Sequence, residues 1–305
     1  MRVLITGASG FIGRALTHRL LDHAHEVIAL TRDPGKAQKI LGEDVLCVGW
    51  DGRSALNWQE HVNQSDAIIN LAGENIGKGP WTTSYRKRIL HSRVGAGHAV
   101  VEAIKNAEKK PRVLLQASGI GYYGDRGDEE LDENSEMGGG FLADVIEQWE
   151  ESTKEVETMG VRRVILRTGF VFGRGGGALA KMTLPYRLFV GGPVGSGKQW
   201  LSWIHVEDEI AVIQEFLERD EFSGVFNLTA PHPATLGEVS KHLGKAMRRP
   251  SWLPVPAFAL KLMLGDMAKE TALTSQKVLP GKLLQANYSF QYTSVSEALN
   301  SIFAD

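Results

Sequence analysis

The segment Thr6-Gly7-Ala8-Ser9-Gly10-Phe11-Ile12-Gly13 constrains the fold more than any other stretch of the chain. It follows an aliphatic run, Arg2 to Thr6, that reads as a buried strand, and it opens a stretch of helical spacing from Gly10 to Asp22. The glycines stand three apart, whereas the commonest dinucleotide fingerprint is G-x-G-x-x-G, but the physical demand is similar. Gly7 permits a tight turn, Gly10 lets backbone N–H groups approach a diphosphate, and Gly13 allows the helix to pack closely on the strand. The helix N-terminus then faces the anion. On this reading Gly7, Ser9, Gly10, Phe11, Ile12 and Gly13 hold the diphosphate of a dinucleotide; the alternative is that the glycines serve only a tight turn.

The same alternation continues along the chain. Glu26 to Thr31, Val45 to Val48, Ala67 to Leu71, Arg112 to Ser118 and Arg162 to Arg167 read as buried strands, with helical patterns over Thr82 to Ala107 and Phe141 to Thr158. Parallel strands need crossover connections, so this pattern predicts an α/β fold, a Rossmann-type doubly wound parallel sheet covered on both faces. After Gly173 glycines and prolines multiply, and the remainder predicts a smaller, irregular C-terminal substrate lobe. The expected division is a dinucleotide-binding domain over 1–173, to which 204–230 returns through a strand at Val225 to Leu228, and a substrate lobe over 174–203 and 231–305.

The end of the second strand reads Thr31-Arg32-Asp33 before Pro34-Gly35, taken as a turn. An acid at this point binds a ribose 2′-hydroxyl, whereas an arginine accommodates a 2′-phosphate. Arg32, with Thr31 beside it, therefore points to NADP(H); the alternative is a solvent-facing Arg32 with Asp33 on the ribose.

Lys+Arg 34 against Asp+Glu 36 leaves a formal charge of −2, so neither nucleic acid nor membrane is expected as a partner, and the sequence is silent on a protein partner. Cys47 is the single cysteine, and the nine histidines show no H-x-x-x-H or H-E-x-x-H spacing, so no metal site is expected. The N-terminal run is too short and glycine-rich for a secretory signal, and Lys261 and Asp266 interrupt the apolar stretch near Ala259 to Met267. A cytoplasmic location is the expectation. Gly192 to Lys198 mimics a P-loop, but Gln199 replaces the Mg²⁺-binding Ser or Thr and the following QWLSWIH reads as a strand. The basic run Arg86-Lys87-Arg88 with His91 reads as a solvated helix face.

With TGASGFIG, NLAG at Asn70 to Gly73, the pair Tyr123-Gly124 and WIHVED at Trp203 to Asp208, the chain resembles the extended short-chain dehydrogenase/reductase superfamily, the epimerase and dehydratase group. NLAGENI, Ser92-Arg93, GYYG, LRTGFVFGRGGGALAKM, GGPVGSGKQWLSWIHVEDE and NLTAP resemble an atypical branch. It holds bacterial epimerase-like proteins often labelled cell-division-inhibitor-like and a human epimerase family member. The resemblance implies that Asp51 meets the adenine and that Leu71, Ala72 and Gly73 line the adenosine half. It also implies that Arg93 lies near the cofactor phosphates and that Val171 runs along the nicotinamide side. For the uncharged residues among these, plain strand packing is the competing reading.

The superfamily usually moves its proton with a Tyr-x-x-x-Lys pair and a nearby hydroxyl, the lysine lowering the tyrosine pKa from one helical turn away. No tyrosine here has a lysine four positions on. The resemblance puts Phe141 at the tyrosine position, Val145 at the lysine position and Gly119 at the hydroxyl position, with Ser118 one residue early. Loss of a positioned acid or base forfeits about 10²- to 10⁴-fold in rate. Ser118, Tyr122 and Tyr123 are the candidate replacements, with aromatic lining of the cleft as the other reading. Glu74 is a candidate for substrate approach, with helix-start hydrogen bonding as its alternative, and His205 reads chiefly as packing. Two functions stand open. One is an epimerase or oxidoreductase-like enzyme acting on a small or nucleotide-linked substrate; the other is a non-catalytic NADP(H)-sensing protein.

Overall fold

The structure is a computed structural model, and it describes residues 1–56 and 58–304. Seven strands form one parallel sheet in the order Gly224–Leu228, Arg162–Thr168, Val113–Gly119, Ala67–Asn70, Arg2–Thr6, Glu26–Thr31, Leu46–Gly49. The inner strands are aliphatic because they are covered on both faces, whereas the edge strand Leu46–Gly49 leaves Leu46 exposed. Val3, Ile5, Ala29 and Ile69 join one core cluster with Leu16, Leu20 and Phe216, while Leu4, Ile28 and Ile68 join the other with Val100, Ile104 and Trp58. This is the Rossmann-type α/β layering. The strand order reverses between Arg2–Thr6 and Ala67–Asn70, and in such sheets a crevice opens beyond the carboxyl ends at that point.

Most element ends fall within a residue of expectation, and the exceptions have identifiable causes. Pro34-Gly35 opens a helix, Pro34–Leu41, rather than a turn: Asp33 Oδ1 accepts the Lys36 N–H at 3.0 Å, and proline occupies a first-turn position where its missing N–H costs nothing. The helix expected over Phe141 to Thr158 stops at Glu151 and resumes as a 3₁₀ segment, Lys154–Met159. At the break Ser152 Oγ donates to Trp149 O at 2.6 Å and Thr153 Oγ1 to Glu150 O at 3.3 Å, hydrogen bonds that compete with helix continuation. The strand expected over Val45 to Val48 runs Leu46–Gly49, in register with Ile28 to Thr31.

The helix Val206–Glu218 packs against Phe11–Asp22, with Arg19 Nε donating to Gln214 Oε1 at 2.6 Å. Beyond Thr168 short strand pairs, Phe170–Phe172 with Trp203–His205 and Trp200–Leu201 with Ala234–Thr235, enclose a separate core of Phe172, Trp203, Tyr186, Leu243 and Leu299. The helix Leu236–Met247 starts with a capping box between Thr235 and Glu238. The P-loop mimic Gly192 to Lys198 leads into the strand Trp200–Leu201, with no helix to present amides to a phosphate. No helix among the described residues is long and apolar enough to cross a membrane.

Candidate functional site

The first turn places Gly7 at φ +73°, a conformation that L side chains rarely adopt, and a Cβ there would sit 2.9 Å from Leu71 O. A Cβ on Gly13 would lie 2.3 Å from Gly7 O and 2.7 Å from Ala8 Cα, so helix Phe11–Asp22 abuts the turn that feeds it. Gly10 serves as N-cap, its N–H donating to Gly7 O at 2.9 Å, and no side chain caps the helix and no acid stands in its first turn. The leading N–H groups, with the positive end of the helix dipole, are left for an anion.

Around this turn a cleft of about 1250 Å³ is lined by Gly7, Ser9, Gly10, Thr31, Arg32, Asp51, Leu71, Ala72 and Gly73. The structure therefore brings together nine of the residues singled out from sequence. Gly13 packs against the turn itself, whereas Phe11, Val171 and Arg93 are not among the lining residues. Phe11 turns its ring under the Gly173 to Gly177 run, where a Cβ on Gly176 would come within 2.2 Å of the ring. Val171 is buried beside it, paired with Ile204. Arg93 lies flat behind Gly73, its Nη1 donating to Glu74 O and Ile89 O at 3.1 and 3.0 Å and its guanidinium 5.0 Å from the centre of the Trp149 ring. Burial pulls its pKa down to about 10, partly offset by Glu74.

The acids of the cleft are largely committed to the backbone. Asp33 caps its own helix, and Asp51 Oδ1 accepts from Arg53 N and Ser54 N at 2.8 and 2.9 Å, hydrogen bonds that hold its carboxyl below the usual range. Glu74 pairs with Lys78 at 3.0 Å, which lowers its pKa. Arg32, Lys36, Arg53, Lys87 and Arg88 also line the cleft, so it is cationic on balance. Lys87, Arg88 and His91 of the basic run are solvent-exposed, as read from sequence, and this exposed face also lines the cleft, while Arg86 packs over Phe141 and pairs with Asp266. The signal was present, because Ser84, Lys87, Arg88, His91 and Ser92 share one helical face.

A buried polar ladder crosses the sheet under the cleft: Thr6 Oγ1 donates to Asn70 Oδ1 at 2.6 Å, and Asn70 Nδ2 to Gln116 Oε1 at 2.8 Å. Thr6 Oγ1 also accepts the Ala72 N–H at 3.1 Å, which fixes the strand end beside Gly7. Sequence reading missed this ladder, because its members are 64 and 46 residues apart.

The candidate acid–base groups lie in a second network. Ser118 Oγ donates to Glu150 Oε1 at 2.5 Å, and Arg167 grips the same carboxylate through Nε and Nη2 at 2.8 and 2.9 Å. Arg167 Nη1 donates to the Tyr123 hydroxyl at 3.1 Å, which in turn donates to Asn227 Oδ1 at 2.8 Å. Tyr123 is fully buried, and burial raises its pKa against the opposing pull of Arg167. Tyr122 is half-buried, its ring stacked 3.4 Å from the Arg167 guanidinium. Phe141 meets Trp81 edge-on at 5.1 Å with the Arg86 guanidinium 5.0 Å from its ring centre, and Val145 is buried in apolar surroundings with Trp81, Tyr85, Ile89 and Met267. The helix carrying both is capped from afar, Glu270 accepting from Phe141 N and Leu142 N at 3.0 and 2.7 Å. His205 caps its own helix by accepting the Glu207 N–H, and burial lowers its pKa to about 4. Among the described residues no group of His, Cys, Asp or Glu side chains is placed to hold a metal ion.

A parallel sheet with a cationic, amide-lined cleft at its switch point defines a Rossmann-type protein built around a dinucleotide-shaped site. Residues 3–229 match the model of the NAD dependent epimerase/dehydratase family, and residues 255–302 match a domain of unknown function, DUF1731. The chain belongs to the NAD dependent epimerase/dehydratase family. It is 43% identical over 305 residues to the chloroplastic SDR39U1 homologue of Arabidopsis thaliana, covering 99% of this chain and 86% of that protein. It is 34% identical to the human epimerase family protein SDR39U1 over the whole of both chains. The crystal structure of the human protein, isoform 2 with NADPH, superposes with a TM-score of 0.87 at 32% identity and full coverage of both chains. A nucleoside-diphosphate sugar epimerase from Corynebacterium glutamicum gives 0.79 at 31% identity, covering 99% of this chain and 58% of that one.

Proposed function

We propose that this chain binds NADP(H) in the cleft and acts as an epimerase or oxidoreductase-like protein on a small or nucleotide-linked substrate, without the usual Tyr-x-x-x-Lys pair. The observation that carries the cofactor choice is the division of labour at the second strand's end: Asp33, which also lines the cleft, commits its Oδ1 to capping its helix, while Arg32 lines the cleft with Lys36 and Arg53. In this reading Gly7, Ser9 and Gly10 with the amides of Phe11, Ile12 and Gly13 hold the diphosphate, Thr31 and Arg32 the 2′-phosphate, and Asp51 with Leu71 to Gly73 the adenosine. Arg93 supports Gly73 from behind, and Val171 with Phe11 backs the nicotinamide half. The NADPH in the crystal structure of the human relative supports the choice. The cofactor, when bound, supplies or accepts hydride. Residues 174–203 and 231–305 would form the substrate lobe, and a cytoplasmic setting suits the single cysteine. Calorimetric titration with NADPH and NADH tests the cofactor assignment, and heat from neither dinucleotide overturns it.

One observation favours the second reading, a non-catalytic NADP(H)-sensing protein. Ser118 and Tyr123 are tied into the Glu150–Arg167 network, and Phe141 and Val145 have no proton to give. Stopped-flow absorbance with a panel of sugar nucleotides, ketones and quinones separates the two, because hydride exchange with any of them excludes a purely sensing role.

A further inference from the structure

Most of the large apolar side chains exposed among the described residues gather on two segments, with Leu188 and Phe189 on one and Trp252, Phe258, Leu262 and Met263 on the other, while Leu46, Leu56 and Leu284 lie outside them. The segments lie together: Gly191 bridges to Ser251 and Val194 to Val255. Trp252 Nε1 donates to Phe189 O at 3.2 Å, and the Arg249 guanidinium sits 4.6 Å from the centre of the Phe189 ring. The helix Ala257–Leu264 buries none of its residues. Phe258 and Leu262, one turn apart on the same face, are 74% and 86% exposed, with Lys261 beside them. A gathered apolar surface of this kind marks an interaction site.

Charge identifies the occupant. Residues 174–206 carry Arg174, Lys181, Arg187 and Lys198, and residues 239–265 carry Lys241, Lys245, Arg248, Arg249 and Lys261; neither stretch contains an Asp or Glu. The near-neutral balance of the whole chain, which set membranes aside at the level of sequence, averages this asymmetry away. A second copy docking through the same face would set cation against cation. Protruding aromatic and aliphatic tips with lysine and arginine beside them match an interfacial surface, where the tips enter the acyl boundary and the long cations reach the headgroups. We propose that this face docks on an anionic phospholipid bilayer, with Trp252, Phe258 and Leu262 entering the headgroup–acyl boundary and Arg187, Arg249 and Lys261 meeting lipid phosphates. The protein then lies on the membrane without crossing it.

Co-sedimentation of the full chain with phosphatidylglycerol-containing vesicles, against pure phosphatidylcholine vesicles, tests this. Binding is expected on the anionic vesicles alone and is expected to fade as salt rises from about 0.1 M towards 1 M, where the screening length falls to about 3 Å. Leu262→Asn and Trp252→Ala should each weaken it about tenfold, and Arg249→Gln or Lys261→Gln about fivefold. All four positions are solvent-exposed, so the variants should keep the parent's circular dichroism and melting temperature. No sedimentation with anionic vesicles overturns the proposal, as does binding undiminished in the Leu262→Asn, Trp252→Ala double variant. A lipid-free dimer that Leu262→Asn dissociates assigns the face to a second copy and overturns it too.

Discussion

Arg167 holds both carboxylate oxygens of Glu150, at 2.8 and 2.9 Å, in a setting where the two side chains are 5% and 14% exposed. Such a pair gains little over a well-packed apolar replacement, but breaking it strands a charge. Glu150→Ala should therefore lower stability by about 3–5 kcal/mol. Denaturant unfolding measures this, and a loss below about 1 kcal/mol would mean that water reaches the guanidinium.

Tyr122 and Tyr123 are adjacent in sequence and opposite in expected behaviour. Tyr123→Phe leaves Asn227 Oδ1 and one Arg167 N–H short of a partner in the interior, a cost of about 1–3 kcal/mol. Tyr122→Phe keeps the ring over Arg167 and should change stability by less than about 0.5 kcal/mol. If Tyr122 supplies the proton, Tyr122→Phe abolishes hydride exchange at unchanged NADPH affinity; unchanged exchange removes it from the chemistry.

Arg32→Ala should weaken NADPH binding about tenfold or more while altering NADH binding little, because a charge-assisted hydrogen bond to the 2′-phosphate is worth about 1.5–3 kcal/mol. Parallel fluorescence titrations decide it, and equal losses for the two dinucleotides would place Asp33 on the ribose instead.

Gly13→Ala puts a methyl group where only 2.3 Å separates it from Gly7 O. Backbone faces it on both near contacts, so relief requires the helix to shift, at a cost of about 1–3 kcal/mol or more. The expected result is a lower melting temperature together with weakened dinucleotide binding. An unchanged melting temperature would show that the turn is looser than described.

Glu209 is buried with a pKa pushed up to about 8 by desolvation, Thr168 Oγ1 donating to it at 2.8 Å. For an acid whose folded pKa is raised, the folded state holds the extra proton, so its contribution is full below the unfolded value near 4.5 and is lost as pH rises through about 8. Wild-type stability should fall between about pH 4.5 and 8 and level off above, and Glu209→Gln should flatten that fall. A variant with the wild-type slope would assign the titration elsewhere.

How much of this was legible beforehand depended on the distance between partners. The sheet was readable because most strands are local aliphatic runs, and the diphosphate turn because its glycines fall within seven consecutive residues at the strand–helix junction. The helix Pro34–Leu41 carried its own signal, Asp33 as cap and proline in the first turn, which the Pro-Gly pair obscured. The union of Ser118, Glu150, Arg167, Tyr123 and Asn227 was not legible, since it joins residues 17 to 104 positions apart through tertiary packing. The cationic wall at Lys87, Arg88 and His91 fell between these cases: its spacing was helical, but only the fold shows which way that face points.

Because Glu270 tethers the first two amides of the helix that begins at Phe141, that helix borrows its start from a segment 129 residues downstream. A chain shortened ahead of residue 270 would thus fray in its middle rather than at its new end.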